Sequence, residues 1–162
     1  MGYPLLRDDS VPCFIAKLAE APKFKSKSGL SKAQKAGYVF QENVLEALVD
    51  GRLQFADNSF TLYYEQWISY VDAQNQGRVS RPDIVLVWEK SRKILLIECK
   101  LNHSRLALAQ YAHYSSLLKA IYPHYKISGL EISKTYDPFE AAWPLVRELK
   151  DEYTEFSTFL WV

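Results

Sequence analysis

"RPDIVLVWEKSRKILLIECK", residues 81–100, sets two short apolar runs around a polar link. "DIVLVWE" and "KILLIECK" hold the branched and aromatic side chains that suit a pleated strand, and "KSR" between them suits a hairpin. Charged groups stand where a buried sheet keeps apolar ones: Asp83 opens the first run, and Glu98 and Lys100 close the second. Side chains alternate along a strand, so Glu98 and Lys100 share a face with Ile94 and Leu96. A carboxylate on such a face is unfavourable unless its charge is compensated.

A neighbouring strand opening at Asp83 brings a second carboxylate alongside Glu98. Two close carboxylates repel, and one pKa rises, unless a cation sits between them. Oxygen ligands suit Mg2+ or Mn2+ rather than zinc. Lys100 then lies within reach of whatever that metal holds. The set fits phosphodiester hydrolysis: a metal polarises the phosphoryl oxygen and activates a water, and Lys100 orients that water or stabilises the charged transition state. The plainer alternative is an exposed Glu98–Lys100 pair at a strand end, with Asp83 a turn residue after Pro82.

Outward from this stretch, "SVPCFIAKLAEA" reads as a short helix with Ser10 as cap and Pro12 in the first turn. "KFKSKSGLSKAQK" follows with Lys23, Lys25, Lys27, Lys32 and Lys35 and no acid, either a solvated surface segment or a grip on a phosphate backbone. A helix is expected from about Lys32 to Asp50, with Ser31 and Gln34 as a capping box and Gly51 as its stop. Its buried arc is Tyr38, Phe40, Val44, Leu45, Leu48 and Val49; Glu42 borders that arc and Glu46 lies further out. "FTLYYEQWISYV" reads as one strand, with a turn at Gln74, Asn75, Gln76 and Gly77 after it. Residues 104–122 read as a helix with Gln110, Tyr114, Leu117 and Ile121 on one stripe, ended by Pro123. "YKISGLEIS" is a further strand. Asp137, Pro138 and Glu140 open another helix, which Pro144 interrupts. "TEFSTFLWV" is a strand or a packed tail. The order predicts one mixed α/β domain over 1–162, a central sheet flanked by helices, with 1–30 as an N-terminal helical and basic extension.

The chain has 162 residues, 48% hydrophobic and 24% charged, enough for one sizeable core. No apolar run spans a membrane and the N-terminus lacks a signal-peptide pattern, so a cytoplasmic protein is expected. A formal net charge of +1 leaves any nucleic-acid site to local clusters such as the lysines or Arg78, Arg81 and Arg105. Cys13 and Cys99 are too few for a disulfide framework, a structural zinc or an iron–sulfur cluster, and Cys99 reads as a buried small side chain.

Pro82-Asp83 followed by Glu98-Cys99-Lys100 resembles the PD-(D/E)XK nuclease superfamily. Gln110-Tyr111-Ala112-His113-Tyr114 resembles the Q-x-x-x-Y helix of its RecB-type branch. The resemblance covers about two-thirds of the chain, residues 32 to 133. It implies a restriction-endonuclease-like αβββαβ core and a metal-dependent deoxyribonuclease. It implies that Asp83, Glu98 and the backbone carbonyl of Cys99 bind Mg2+ or Mn2+, and that Lys100 is catalytic. Glu42 would meet the metal directly or through water, although Glu46 is an alternative on the same helix. Gln110 and Tyr114 would support the site or touch DNA, unless they are only core and its polar rim. Arg81, Lys32 and Lys35 would contact the DNA backbone. His103, just after the motif, is a phosphate contact or a surface histidine. The iron–sulfur cysteines of some members of that branch are absent, so no such cluster is expected, nor a nucleotide cofactor. DNA is the expected partner, with a homodimer needed if two strands are cut. The competing expectation is a non-catalytic nucleic-acid- or protein-binding module on the same fold, and the plainest is an unrelated α/β domain with an accidental motif.

Overall fold

The computed structural model describes residues 17–19, 30–72, 74–102, 105–135 and 155–161. Most of the expected N-terminal helix, the helix from Asp137, Cys13, His103, Lys23, Lys25 and Lys27 lie outside these residues, as does the side chain of Arg105.

The elements run β1 (Lys17–Ala19), α1 (Lys32–Val49), β2 (Thr61–Tyr64), β3 (Trp67–Val71), β4 (Gly77–Ser80), β5 (Ile84–Trp88), β6 (Lys93–Lys100), α2 (Arg105–Ile121), β7 (Lys126–Ser133) and β8 (Phe156–Leu160). They form a mixed five-stranded sheet, ordered β2-β5-β6-β7-β8, and a three-stranded sheet, ordered β1-β3-β4. In the larger sheet β2, β5 and β6 pair antiparallel, and β6, β7 and β8 pair parallel. The fold is α/β, with two helices among the described residues. No helix there is long and apolar enough to cross a membrane.

The β5–β6 hairpin stands as expected. Every residue of β5 is buried, which explains its unbroken apolar run: both faces of a central strand meet protein. Alternation divides the core. Ile84, Leu86, Ile97 and Ile132 face α1 through Phe40, Val44 and Leu48. Val85, Val87, Ile94, Leu96 and Ile127 face α2 through Leu108, Tyr111, Tyr114 and Leu118, and Ile68 of β3 joins this side. At Gly129 of β7 an added methyl would lie 2.6 Å from Tyr111 Cε2 and 2.7 Å from Phe156 Cδ2, so only glycine lets these rings close over the strand.

Helix α1 begins with the expected capping box: Ser31 Oγ accepts from Gln34 N–H, and Gln34 Oε1 accepts from Ser31 N–H. Gly51 follows in the left-handed region at φ +80. Val49 is 75% exposed rather than part of the buried arc. It follows Val44 by five residues, which turns it well away at about 100° per residue.

Three expectations need correction. Residues 17–19 form strand β1, not helix; their partners come from β3, in register Lys17↔Ser69, and a helix that short does not sustain itself alone. "FTLYYEQWISYV" is two strands in two sheets, broken at Glu65, which takes φ 49 and donates its N–H to Asp83 O at 2.8 Å. The Gln74–Gly77 turn leads into β4, a strand not foreseen in "GRVS", which pairs with β3.

Candidate active site

Asp83 immediately precedes β5, and the antiparallel register Ile84↔Ile97 sets it beside Glu98. Val85 and Leu96 face α2, so alternation turns Asp83, Glu98 and Lys100 to that same side. Asp83 Oδ2 accepts from Cys99 N–H at 2.8 Å, which ties the start of β5 to the end of β6. The Asp83 and Glu98 carboxyls hydrogen-bond each other. Glu98 is 2% exposed, and its Oε1 has no partner.

Burial, then the Asp83 charge, pushes the Glu98 carboxyl well above the usual range, against the opposing pull of Lys100. Burial also raises Asp83, opposed by the Cys99 N–H and by Lys100. Glu98 is therefore the protonated partner of the pair and Asp83 the acceptor. Leaving a buried acceptor unsatisfied costs about 1–3 kcal/mol. The Cys99 side chain turns to the opposite face, against the α1 cluster, and burial raises its thiol. It is no nucleophile for this site; only its backbone adjoins the carboxylates.

Glu65 is an acid of this site that the sequence did not single out. It is 8% exposed, its Oε1 accepts from Gln41 Nε2 at 2.9 Å, and Arg81 Nη1 lies 3.9 Å from its Oε2. Its charge contributes to raising Asp83. The neighbouring Tyr64 phenol is pushed up to about 12 by burial and by Glu65. Glu42 is half-buried on α1, and its charge acts on Tyr64; Glu46 is exposed. Gln41, one residue before Glu42, is the α1 side chain that hydrogen-bonds an acid of the site. The signal for Glu65 was available: a carboxylate inside an aromatic run has the same oddity as Glu98. A further buried acid, Glu131 of β7, stands opposite Glu98 in the parallel register. Among the described residues no three His, Cys, Asp or Glu side chains form a metal-binding group.

Beside the pair lies a groove of ≈ 790 Å3 whose walls include Tyr38, Trp67, Arg81, Gln110, His113 and Tyr114. The Tyr114 hydroxyl donates to Arg81 O at 3.3 Å, and its pKa is raised by burial and by the charges of Glu98 and Asp83. Arg81 Nη2 donates to Tyr38 OH at 3.2 Å, and the guanidinium sits 5.3 Å over the Trp67 ring. Gln110 Oε1 and Trp67 Nε1 are buried without partners. Burial lowers the His113 pKa, and His113 Nε2 lies 2.8 Å from Ser80 Oγ. Gln110, Tyr114 and Arg81 thus gather at one groove next to Asp83 and Glu98. Lys32 and Lys35 stand exposed on the first turn of α1 instead. Arg78 is engaged with Asp72 at 2.8 Å, at the far end of the β3–β4 hairpin.

No protein-family model and no curated protein matches this chain.

Proposed function

We propose that the chain is a metal-dependent phosphodiesterase acting on DNA, with Asp83, Glu98 and Lys100 as its reacting group. The observation that carries this reading is the side-by-side Asp83–Glu98 pair at a strand end, with Glu98 fully buried and the Lys100 charge acting on both. The donor set fits Mg2+ or Mn2+: two carboxylates, one with an orphaned oxygen, on a rigid hairpin, next to the backbone of Cys99. Such an ion, when bound, supplies charge to polarise a phosphoryl oxygen and to acidify a water.

The chain's own groups do the rest. Asp83 is aligned by the Cys99 N–H on its Oδ2, and its carboxylate would help hold the ion. Glu98, held protonated by burial and by Asp83, would bind such an ion as the carboxylate, the ion's charge offsetting the repulsion from Asp83. Lys100 follows on the same face and neutralises charge that grows on a transferring phosphate. Glu65, held by Gln41, positions the start of β5 through its N–H on Asp83 O. Glu42, half-buried on α1, would meet the ion directly or through water.

The test is cleavage of end-labelled linear and covalently closed circular DNA, single- and double-stranded, with Mg2+, Mn2+ or EDTA. Metal-dependent cutting is expected, reduced on the order of 100-fold or more in Lys100→Ala. Absence of cutting by the folded wild-type protein in every metal overturns the enzymatic reading in favour of a binding module.

A further inference from the structure

The groove beside the carboxylates is not needed to hold a metal, yet it is a sizeable concavity of ≈ 790 Å3 whose lining residues Arg81 and Tyr114 adjoin them. Its walls combine three aromatic rings, Tyr38, Trp67 and Tyr114, with one guanidinium plane, Arg81. Successive nucleic-acid bases stack on such surfaces whatever their sequence. Two of the lining side chains also carry unsatisfied polar atoms: the donor Trp67 Nε1 and the acceptor Gln110 Oε1. Buried polar groups are nearly always paired, so a donor and an acceptor without partners on two residues that line the groove mark a place for an occupant that brings both. A small turn of either side chain carries its group to that occupant. Every nucleobase offers a donor beside an acceptor on its Watson–Crick edge, the edge read in extruded bases.

Position gives the rest. Arg81 stands two residues before Asp83 in the chain, and Tyr114 bridges from the Arg81 carbonyl toward the two carboxyls. A strand whose phosphate lies at Asp83 and Glu98 therefore has its neighbouring nucleoside over the groove. A paired, stacked base cannot enter it; an unstacked one can.

We infer that this groove is a nucleobase subsite, which takes one unstacked base of a single-stranded or frayed strand next to the phosphate to be cut. The inference rests on the nuclease reading for its choice of a nucleic acid as occupant, and it adds a substrate class: single strands, flaps or open ends rather than intact duplex. Because donor, acceptor and rings meet any base, the subsite selects for strandedness and not for sequence.

The experiment is fluorescence anisotropy with a fluorescein-labelled single-stranded DNA and its full duplex, in EDTA, so that binding is read without cutting. Wild type is expected to hold the single strand about tenfold more tightly than the duplex. Gln110→Leu and Trp67→Phe are each expected to weaken single-strand binding about five- to tenfold, with duplex binding unmoved. Ala109→Trp is a third variant: Ala109 is exposed and lines the groove, so the new ring fills the space without disturbing the core. It is expected to weaken single-strand binding tenfold or more. Single-strand binding left intact in all three folded variants overturns the subsite, even where wild type cuts DNA and Lys100→Ala does not. Groove-dependent binding without any cutting upholds the subsite and removes the nuclease reading. No binding of either DNA overturns the subsite outright.

Discussion

Glu98→Gln should make the metal-free protein more stable, and by an amount that grows with pH. In the folded state Glu98 keeps its proton well above the usual 4.5, because burial and Asp83 both disfavour its ionised form. The unfolded chain releases that proton near its ordinary pKa. An acid whose folded pKa is raised contributes stability that is full below the unfolded value and is lost as pH climbs through the folded one. Each pH unit within that window removes about 1.4 kcal/mol. As pH rises from 5 through that window the wild type should therefore lose stability at this rate from this group alone. Glutamine has the same shape, has no proton to lose, and donates to Asp83 as the protonated acid does. In EDTA, thermal denaturation should show similar melting temperatures at pH 5. At pH 7 the variant should lead, by about 2–4 °C for each kcal/mol the wild type has lost. Excess Mn2+ should reverse the order, adding about 2.7 kcal/mol to the wild type at one hundred times the dissociation constant, with no gain in the variant. A difference curve flat in pH, or a variant less stable at pH 7 without metal, would refute the buried-acid argument. Equal stabilisation of both proteins by Mn2+ would remove Glu98 from the metal site.

Gly129→Ala should lower stability by about 1–3 kcal/mol in urea denaturation, because the new methyl meets the Tyr111 and Phe156 rings inside a packed face. Gln41→Leu takes the Nε2 donor from the buried Glu65 carboxylate; a loss of about 1.5–3 kcal/mol is expected at pH 7 by thermal denaturation. Ser31→Ala removes the side-chain half of the capping box and should cost about 0.5–2 kcal/mol, read by the same denaturation curves.

Local signals carried much of the architecture. The α1 start was legible because Ser31 and Gln34 satisfy each other across one turn. The β5–β6 hairpin was legible because a central strand must be apolar on both faces. The Asp83–Glu98 contact then followed from side-chain alternation and the hairpin register. Other features depend on partners remote in sequence. "FTLYYEQWISYV" has strand propensity throughout, and only the bond from Glu65 N–H to Asp83 O shows where it breaks. The meeting of Gln41 with Glu65 spans two elements and has no local pattern. β4 is short and mostly exposed, so "GRVS" carries little hydrophobic signal; pairing with β3 makes it a strand. Residues 17–19 were drawn into a sheet by β3 against their helical appearance.

The break at Glu65 also divides labour along the chain. The polypeptide leaves the large sheet at Glu65 and rejoins it at Asp83, and one hydrogen bond fastens exit to return. Everything between, the β3–β4 hairpin, is an excursion held closed at its base. It supplies Trp67 and Arg81 to the groove, but none of the acids paired at Asp83 and Glu98. Doubling the length of a flexible loop adds only about 0.6 kcal/mol of closure entropy. The hairpin tip at Gln74–Gln76 can therefore lengthen, shorten or change composition while the carboxylates keep their register. Floor and wall are separately adjustable parts: the carboxylates are fixed by the register of the large sheet, while the hairpin, anchored in the core by Ile68, can vary at its tip.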